Sequence, residues 1–255
     1  MKSRVGIVGV GNMGGGMAQR LLARGWPVLV NDIDAGKVAA LAGQGALACA
    51  TAAAAAREVL ALIVCVVDAG QAEQVLFGPA GAASVLVAGQ AVLLCPTIAP
   101  QAVESIAARL AERGIAAVDA PMSGGPVRAR DGSMSLMLAC DEPVYDRLLP
   151  LLQDLSSQLF RISARPGDGA RTKLVNNLLA GINLVGAAEA LALAMAQAAG
   201  FEGPLGAAAR DAFAGASAAG LAGQDDAALF QWLSAPEPRS VLCHAGLDPA
   251  SISSA

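Results

Sequence analysis

The chain has 255 residues, 17 basic against 21 acidic side chains (net charge -4), 55% apolar and 15% charged residues. That length suits one large or two modest domains, and the composition excludes a mainly disordered chain. A mildly acidic balance without a Lys/Arg run gives no footprint for nucleic acid or an anionic membrane, so a small soluble partner is expected.

Residues 4–9, RVGIVG, read as a short strand that runs into a glycine turn, and GVGNMGGGMAQRLLARG changes to helical period until Gly25 stops it. A second apolar run, PVLVND, follows and completes a strand–helix–strand unit of about thirty residues. The alternation continues through LALIVCVVD, VLLCPT, IAAVDAPMS and MSLMLAC, each separated by Ala/Leu-rich helical sequence. It predicts an α/β fold with a Rossmann-type, doubly wound parallel sheet. The Ala-rich tract at 50–57 reads as a plain helix. ARPGDG at 164–169 marks a domain boundary, and the helix-forming run from Arg171 to Ala199 opens a smaller all-α domain with a long helix. Asn176, Asn177, Asn183, Glu189 and Gln197 interrupt that run too often for a membrane span. The expected domains are 1–164, 165–235 and a disordered tail, 236–255.

The cysteines at 49, 65, 95, 140 and 243 are odd in number and mostly lie in apolar runs, as reduced core thiols do. The start of the chain lacks the length and cleavage pattern of a signal peptide, so no export and a reducing cytoplasmic compartment are expected. The single histidine, His244, lies near the C-terminus. A His-based triad or multi-His metal site in the main body is therefore excluded, and no metal is expected.

Gly9, Gly11 and Gly14 form G-x-G-x-x-G between a strand and a helix, the context that makes this pattern a dinucleotide fingerprint. Gly9 permits the tight turn, Gly11 lets a pyrophosphate approach the backbone, and Gly14 permits close helix packing. Asp32 ends the next strand, eighteen residues after Gly14. A carboxylate there accepts from a ribose diol and repels a 2'-phosphate, favouring NAD over NADP. In DAPMSGG, Ser123, Gly124 and Gly125 offer a hydroxyl and bare N–H groups to a substrate carboxylate. Lys173 and Asn177, four apart on a helix, form the third constellation: a lysine whose pKa burial lowers can move a proton, and an adjacent amide can orient a substrate.

Together these segments resemble the β-hydroxyacid dehydrogenase family. GIVGVGNMGGGMAQRLL resembles its cofactor signature, DAPMSGGPVRARDGSMSLMLAC its substrate-loop signature, and GDGARTKLVNNLLAGINLVGAAEALALA its catalytic-helix signature. The resemblance, strongest to threonate-type members, implies hydride transfer between a short β-hydroxy acid and nicotinamide. Lys173 would then move the proton, Asn177 would orient the substrate, and Ser123, Gly124 and Gly125, with Met122 beside them, would hold it. It also implies Gly11, Asn12 and Met13 along the pyrophosphate, Val67 and Thr97 near the cofactor, and a homodimer or homotetramer. After about residue 200 the chain departs from the family: a second long helix is expected to be missing near Gly200–Pro204, and 236–255 matches nothing in it. A cofactor-binding remnant without turnover is the first alternative. An imine reductase is the second, disfavoured because such relatives usually replace the lysine.

Overall fold

The structure, a computed structural model, describes residues 2–195, 203–221 and Leu233. The chain divides into two compact units, 1–176 and 177–255.

The first unit contains, in chain order, β1 (Val5–Val8), α1 (Asn12–Ala23), β2 (Val28–Asn31), α2 (Ala35–Ala42), β3 (Leu47–Ala48), α3 (Ala52–Ala55), β4 (Ala61–Val64), α4 (Ala69–Phe77), β5 (Ala91–Leu94), α5 (Pro100–Ala111), β6 (Ala116–Asp119), β7 (Met122–Ser123), α6 (Gly125–Asp131), β8 (Ser135–Ala139), α7 (Glu142–Leu155) and β9 (Gln158–Ser163). Helix α8 (Asp168–Met195) starts in this unit, and its residues from Asn177 onward belong to the second.

The sheet order is β3-β2-β1-β4-β5-β6-β8-β7, with β9 also paired to β8. From β3 to β6 every pair is parallel. Strands β1, β4 and β5 are buried throughout, as parallel strands covered on both faces must be. Alternate residues feed two cores. Val5, Ile7, Ala61, Ile63, Ala91 and Leu93 join Met17 and Leu21 of α1 and Leu148 and Leu152 of α7. Val8, Leu62, Val64, Val92 and Leu94 join Leu76 of α4 and Val103, Ile106 and Leu110 of α5. Caps set several helix starts: Asp34 accepts from Gly36 and Lys37 N–H, Thr51 from Ala54 N–H, and Asp68 from Gln71 N–H.

Four features differ from the sequence reading. Strand β8 is antiparallel to β6, because the short β7 and α6 return the chain without a full crossover. Strand β9, an edge strand parallel to β8 with mostly exposed side chains, is absent from the expected elements. The Ala tract gives only the four residues of α3: a Cβ on Gly6 of β1 would lie 2.1 Å from the Ala55 carbonyl oxygen, so the turn sits directly against the strand. The expected boundary at 164/165 falls before α8, whereas the compact unit continues to Asn176, because the first turn of α8 is fastened to β6 and Ala170 joins the α5-side core.

In the second unit, the Glu189 carboxylate accepts from Leu205 and Gly206 N–H at the start of α9 (Pro204–Ala216), at 2.8 and 2.9 Å. Leu178, Leu179, Ile182, Leu184 and Val185 of α8 are exposed. No described helix is long and apolar enough to cross a membrane. The expected deletion point near Gly200–Pro204 lies largely outside the described residues, as do the tail 236–255, Cys243 and His244.

Candidate functional site

Asn31, Val8, Val64, Leu94 and Asp119 lie opposite one another in register across five parallel strands. Each is the last residue of its strand, so the loops carrying Gly9–Gly14, Asp32, Val67, Thr97 and Met122–Gly125 all leave one edge of the sheet. Open α/β sheets bind their ligands at this carboxyl edge, where the strand order reverses, here between β1 and β4.

The glycine loop separates what the fold requires from what a ligand requires. Gly9 has φ +87°, and a Cβ there would lie 2.3 Å from the Cys65 carbonyl oxygen. A Cβ on Gly14 would lie 1.9 Å from the Gly9 carbonyl oxygen. Both positions are closed to other residues by the protein itself. Gly11, by contrast, has φ -65°, and its Cβ would meet nothing within 4 Å. Helix α1 starts at Gly11 without a side-chain cap, and the N–H groups of Asn12 and Met13 have no partner among the described residues. Open space before unpaired N–H groups at a helix N-terminus suits a pyrophosphate. Asp32 accepts from Val10 N–H through Oδ2 (2.7 Å) and from Asp34 N–H through Oδ1 (2.9 Å). A carboxylate has about four acceptor positions, so a ribose diol can still bind it. Val67 and Thr97 are exposed beyond β4 and β5.

Met122 and Ser123 form β7, paired to Leu136 and Ser135. Gly124 (φ +130°) and Gly125 (φ +77°) turn this strand into α6, and a Cβ on Gly125 would meet nothing within 4 Å. Helix α6 packs against α1 at Gly16, where a Cβ would lie 3.0 Å from Ala129 Cβ and 3.1 Å from the Pro126 carbonyl oxygen. The helix after the glycine loop and the helix after Gly124 are thereby held together.

Lys173 is 7% exposed. Burial lowers its pKa below the ordinary lysine value, and no hydrogen bond or ion pair among the described residues opposes that. Such an amine is suited to exchanging a proton. Asn177 is exposed, four residues further along α8.

Asp119 opens the DAPMSGG segment, and the sequence alone points to no role for it. The structure buries it, and its Oδ2 accepts from Gly167 N–H (2.8 Å) and Ala170 N–H (2.9 Å), at the start of α8. Burial raises its pKa, and the bonds from Ala170, Gly167 and Gly169 partly oppose that rise. The only sequence signal was an acid at a strand end fifty residues from a glycine-rich helix start. A groove of about 530 Å³, lined by Glu104, Ala108, Asp141, Val144 and Pro166 among others, contains none of these site residues.

Residues 4–163 match the family described as the NAD binding domain of 6-phosphogluconate dehydrogenase. The chain is 40% identical over 191 residues to L-threonate dehydrogenase of Escherichia coli K12, covering 74% of this chain and 63% of that protein. The crystal structure of 3-hydroxyisobutyrate dehydrogenase from Salmonella typhimurium superposes with a TM-score of 0.70 at 39% identity, covering 78% of this chain and 69% of that one. A structure of Psf3 with NADP+ and 2-OPP gives a TM-score of 0.70 at 31% identity, covering 78% and 69%. The chain spans 63–66% of the length of the curated threonate dehydrogenases it matches first. Through this domain family and these relatives, the chain belongs to the β-hydroxyacid dehydrogenase family.

Proposed function

We propose that the protein is an NAD-dependent dehydrogenase of a short β-hydroxy acid of the threonate, 3-hydroxyisobutyrate or glycerate type. The observation that carries this reading is the buried Lys173, which has no partner among the described residues and lies on a helix whose first turn is bonded to the strand that opens the DAPMSGG loop. When bound, NAD supplies the hydride-accepting nicotinamide. The N–H groups of Asn12 and Met13 and the open space at Gly11 hold the pyrophosphate, and Asp32 holds the ribose diol, with Val67 and Thr97 beside the cofactor. The Asp32 carboxylate favours NAD, because a 2'-phosphate would bring like charges together.

The Ser123 hydroxyl and the backbone of Gly124 and Gly125, with Met122 alongside, bind the substrate carboxylate. Neutral Lys173 removes the proton of the β-hydroxyl as the alcohol is oxidised, and in the reverse direction its ammonium returns that proton to the carbonyl oxygen. Asn177 orients the reacting oxygen. The exposed apolar residues of α8 support association with a second copy of the chain, since large unpaired apolar surfaces are uncommon on monomers. A cytoplasmic location is in keeping with the free thiols Cys65, Cys95 and Cys140.

The test is NADH formation from NAD with threonate, glycerate, 3-hydroxyisobutyrate and 4-hydroxybutyrate, run beside an NADH fluorescence titration. Turnover with one acid supports the reading and names its substrate branch. Saturable binding without turnover favours a second reading, a cofactor-binding remnant. Failure to bind NADH sinks both.

A further inference from the structure

We propose that Asp119 is a positioning residue, whose single carboxylate oxygen at the end of β6 anchors the first turn of α8 and thereby sets the depth at which Lys173 is buried. Oδ2 accepts from both Gly167 and Ala170 N–H, so one atom ties the turn before the helix to its third residue. Lys173 follows Ala170 by three residues and so lies one turn further along the same side of α8. Asp119 cannot give way easily, because in β6 it is paired to Leu94 on one side and to Ala139 on the other. The turn sits flush against these strands at Gly169, where a Cβ would lie 2.7 Å from the Met137 carbonyl oxygen and 3.0 Å from the Asp119 carboxylate.

Asp119 is also the first residue of the DAPMSGG loop. Pro121 in that loop accepts from Met137 N–H at 3.0 Å, on the same strand that Gly169 touches. The loop offered to the substrate carboxylate and the helix bearing the lysine are thus fastened to one point. Burial of a carboxylate is costly unless its hydrogen bonds are made, and here it is 1% exposed. An anchor for the lysine helix gives that cost a function.

The chain contains three lysines, Lys2, Lys37 and Lys173, so carbon-13 methylation yields few NMR signals, and Lys173→Arg identifies that of Lys173. In Asp119→Ala the freed turn admits water, and the Lys173 pKa is expected to rise toward the ordinary value of about 10.4. Gly169→Ala, which forces the turn away from the carboxylate, should shift Lys173 in the same direction. Asp119→Asn keeps an oxygen that can accept both bonds but loses their charge-assisted part, so it should give the smallest rise. NADH affinity should be unchanged in all three, because the glycine loop is untouched.

A residue that only stabilised the fold would lower the melting temperature and leave the titration of Lys173 in the folded protein unmoved. That result, or a downward shift, in those of the three variants that fold overturns the proposal. A downward shift would identify Asp119 as a negative charge acting on Lys173 and not as an anchor. The inference depends on the proposed proton-transfer role of Lys173 only for its consequence in turnover. If Lys173→Ala leaves turnover intact, that role fails, and the NMR titration still decides the anchor.

Discussion

The Asp32 carboxylate bonds the backbone of Val10: Oδ2 lies 2.7 Å from the Val10 nitrogen, 22 residues earlier in the chain. The residue expected to read the ribose therefore also holds the glycine loop in place, and its two roles are coupled. Asp32→Asn keeps an acceptor for Val10 but removes the charge. It should weaken NAD binding and raise the NADP to NAD affinity ratio, measured by paired fluorescence titrations. Asp32→Ala also loosens the loop and should weaken binding of both cofactors.

Gly11 and Gly14 should respond in opposite ways to the same substitution. At Gly11 an alanine has space and a compatible φ, so the melting temperature should stay near that of the native chain. The stability change is expected to be within about 0.5 kcal/mol, since reduced unfolded-state entropy opposes the poorer cap. NAD affinity should fall at least tenfold, because the methyl occupies the space left for the pyrophosphate. Gly14→Ala, 1.9 Å from the Gly9 carbonyl oxygen, should lower the melting temperature markedly, whatever ligand is present.

Lys173→Ala should reduce turnover by about 10²–10⁴ with NADH affinity retained, the range for loss of a positioned acid or base. Lys173→Met adds a thermodynamic signature. The folded-state pKa of Lys173 is lowered by burial, so between that value and the unfolded value of about 10.4 the unfolded chain binds the extra proton. Stability from this group is present above the unfolded pKa and is lost as pH falls through the folded one. Lys173→Met should therefore raise the melting temperature at neutral pH, and its advantage should vanish in alkaline solution. An unchanged melting temperature at pH 7 would contradict the lowering of the Lys173 pKa by burial.

Asp154 joins the start of the chain to the end of α7 by accepting from Lys2 (2.5 Å), Arg24 (2.6 Å) and the buried Trp26 indole N–H (2.9 Å). Burial alone would raise its carboxyl pKa, but the bonds from Lys2, Trp26 and Arg24 prevail and hold it well below the ordinary range. Its stabilisation is present above the unfolded value of about 3.9 and is lost as pH falls toward the folded one. Asp154→Ala should cost at least the ~1–3 kcal/mol of an unsatisfied buried donor at pH 7, measured by urea unfolding. The difference from the native chain should shrink in strong acid.

Strands β1, β2, β4, β5 and β6 were legible because each is a short continuous apolar run, set off from helical sequence by Gly, Pro and capping residues, whereas the two-residue β3 gives no such run. The direction of β8 was not legible. It depends on a two-residue strand and a seven-residue helix, too short to show a period, that turn the chain back beside β6. Strand β9 is not legible for a related reason: it lies at an edge, and its exposed polar and apolar residues lack the continuous apolar run of a buried strand.

The sequence by itself determined the cofactor half of this protein, since the glycine turn, the helix start and the acid after β2 are chemical necessities written within about thirty residues. It also supplied the residue types of the DAPMSGG segment and the Lys173 helix, through local motifs. Only the tertiary structure decided what those residues mean to one another. Gly9 and Gly14 are required by backbone contacts within the fold, while Gly11 is left open. Asp119 joins the start of α8 across fifty-one residues of sequence, and Lys173 is set in a desolvated place. Burial and hydrogen bonding between distant segments follow from how the layers pack, and no local pattern of residues encodes them.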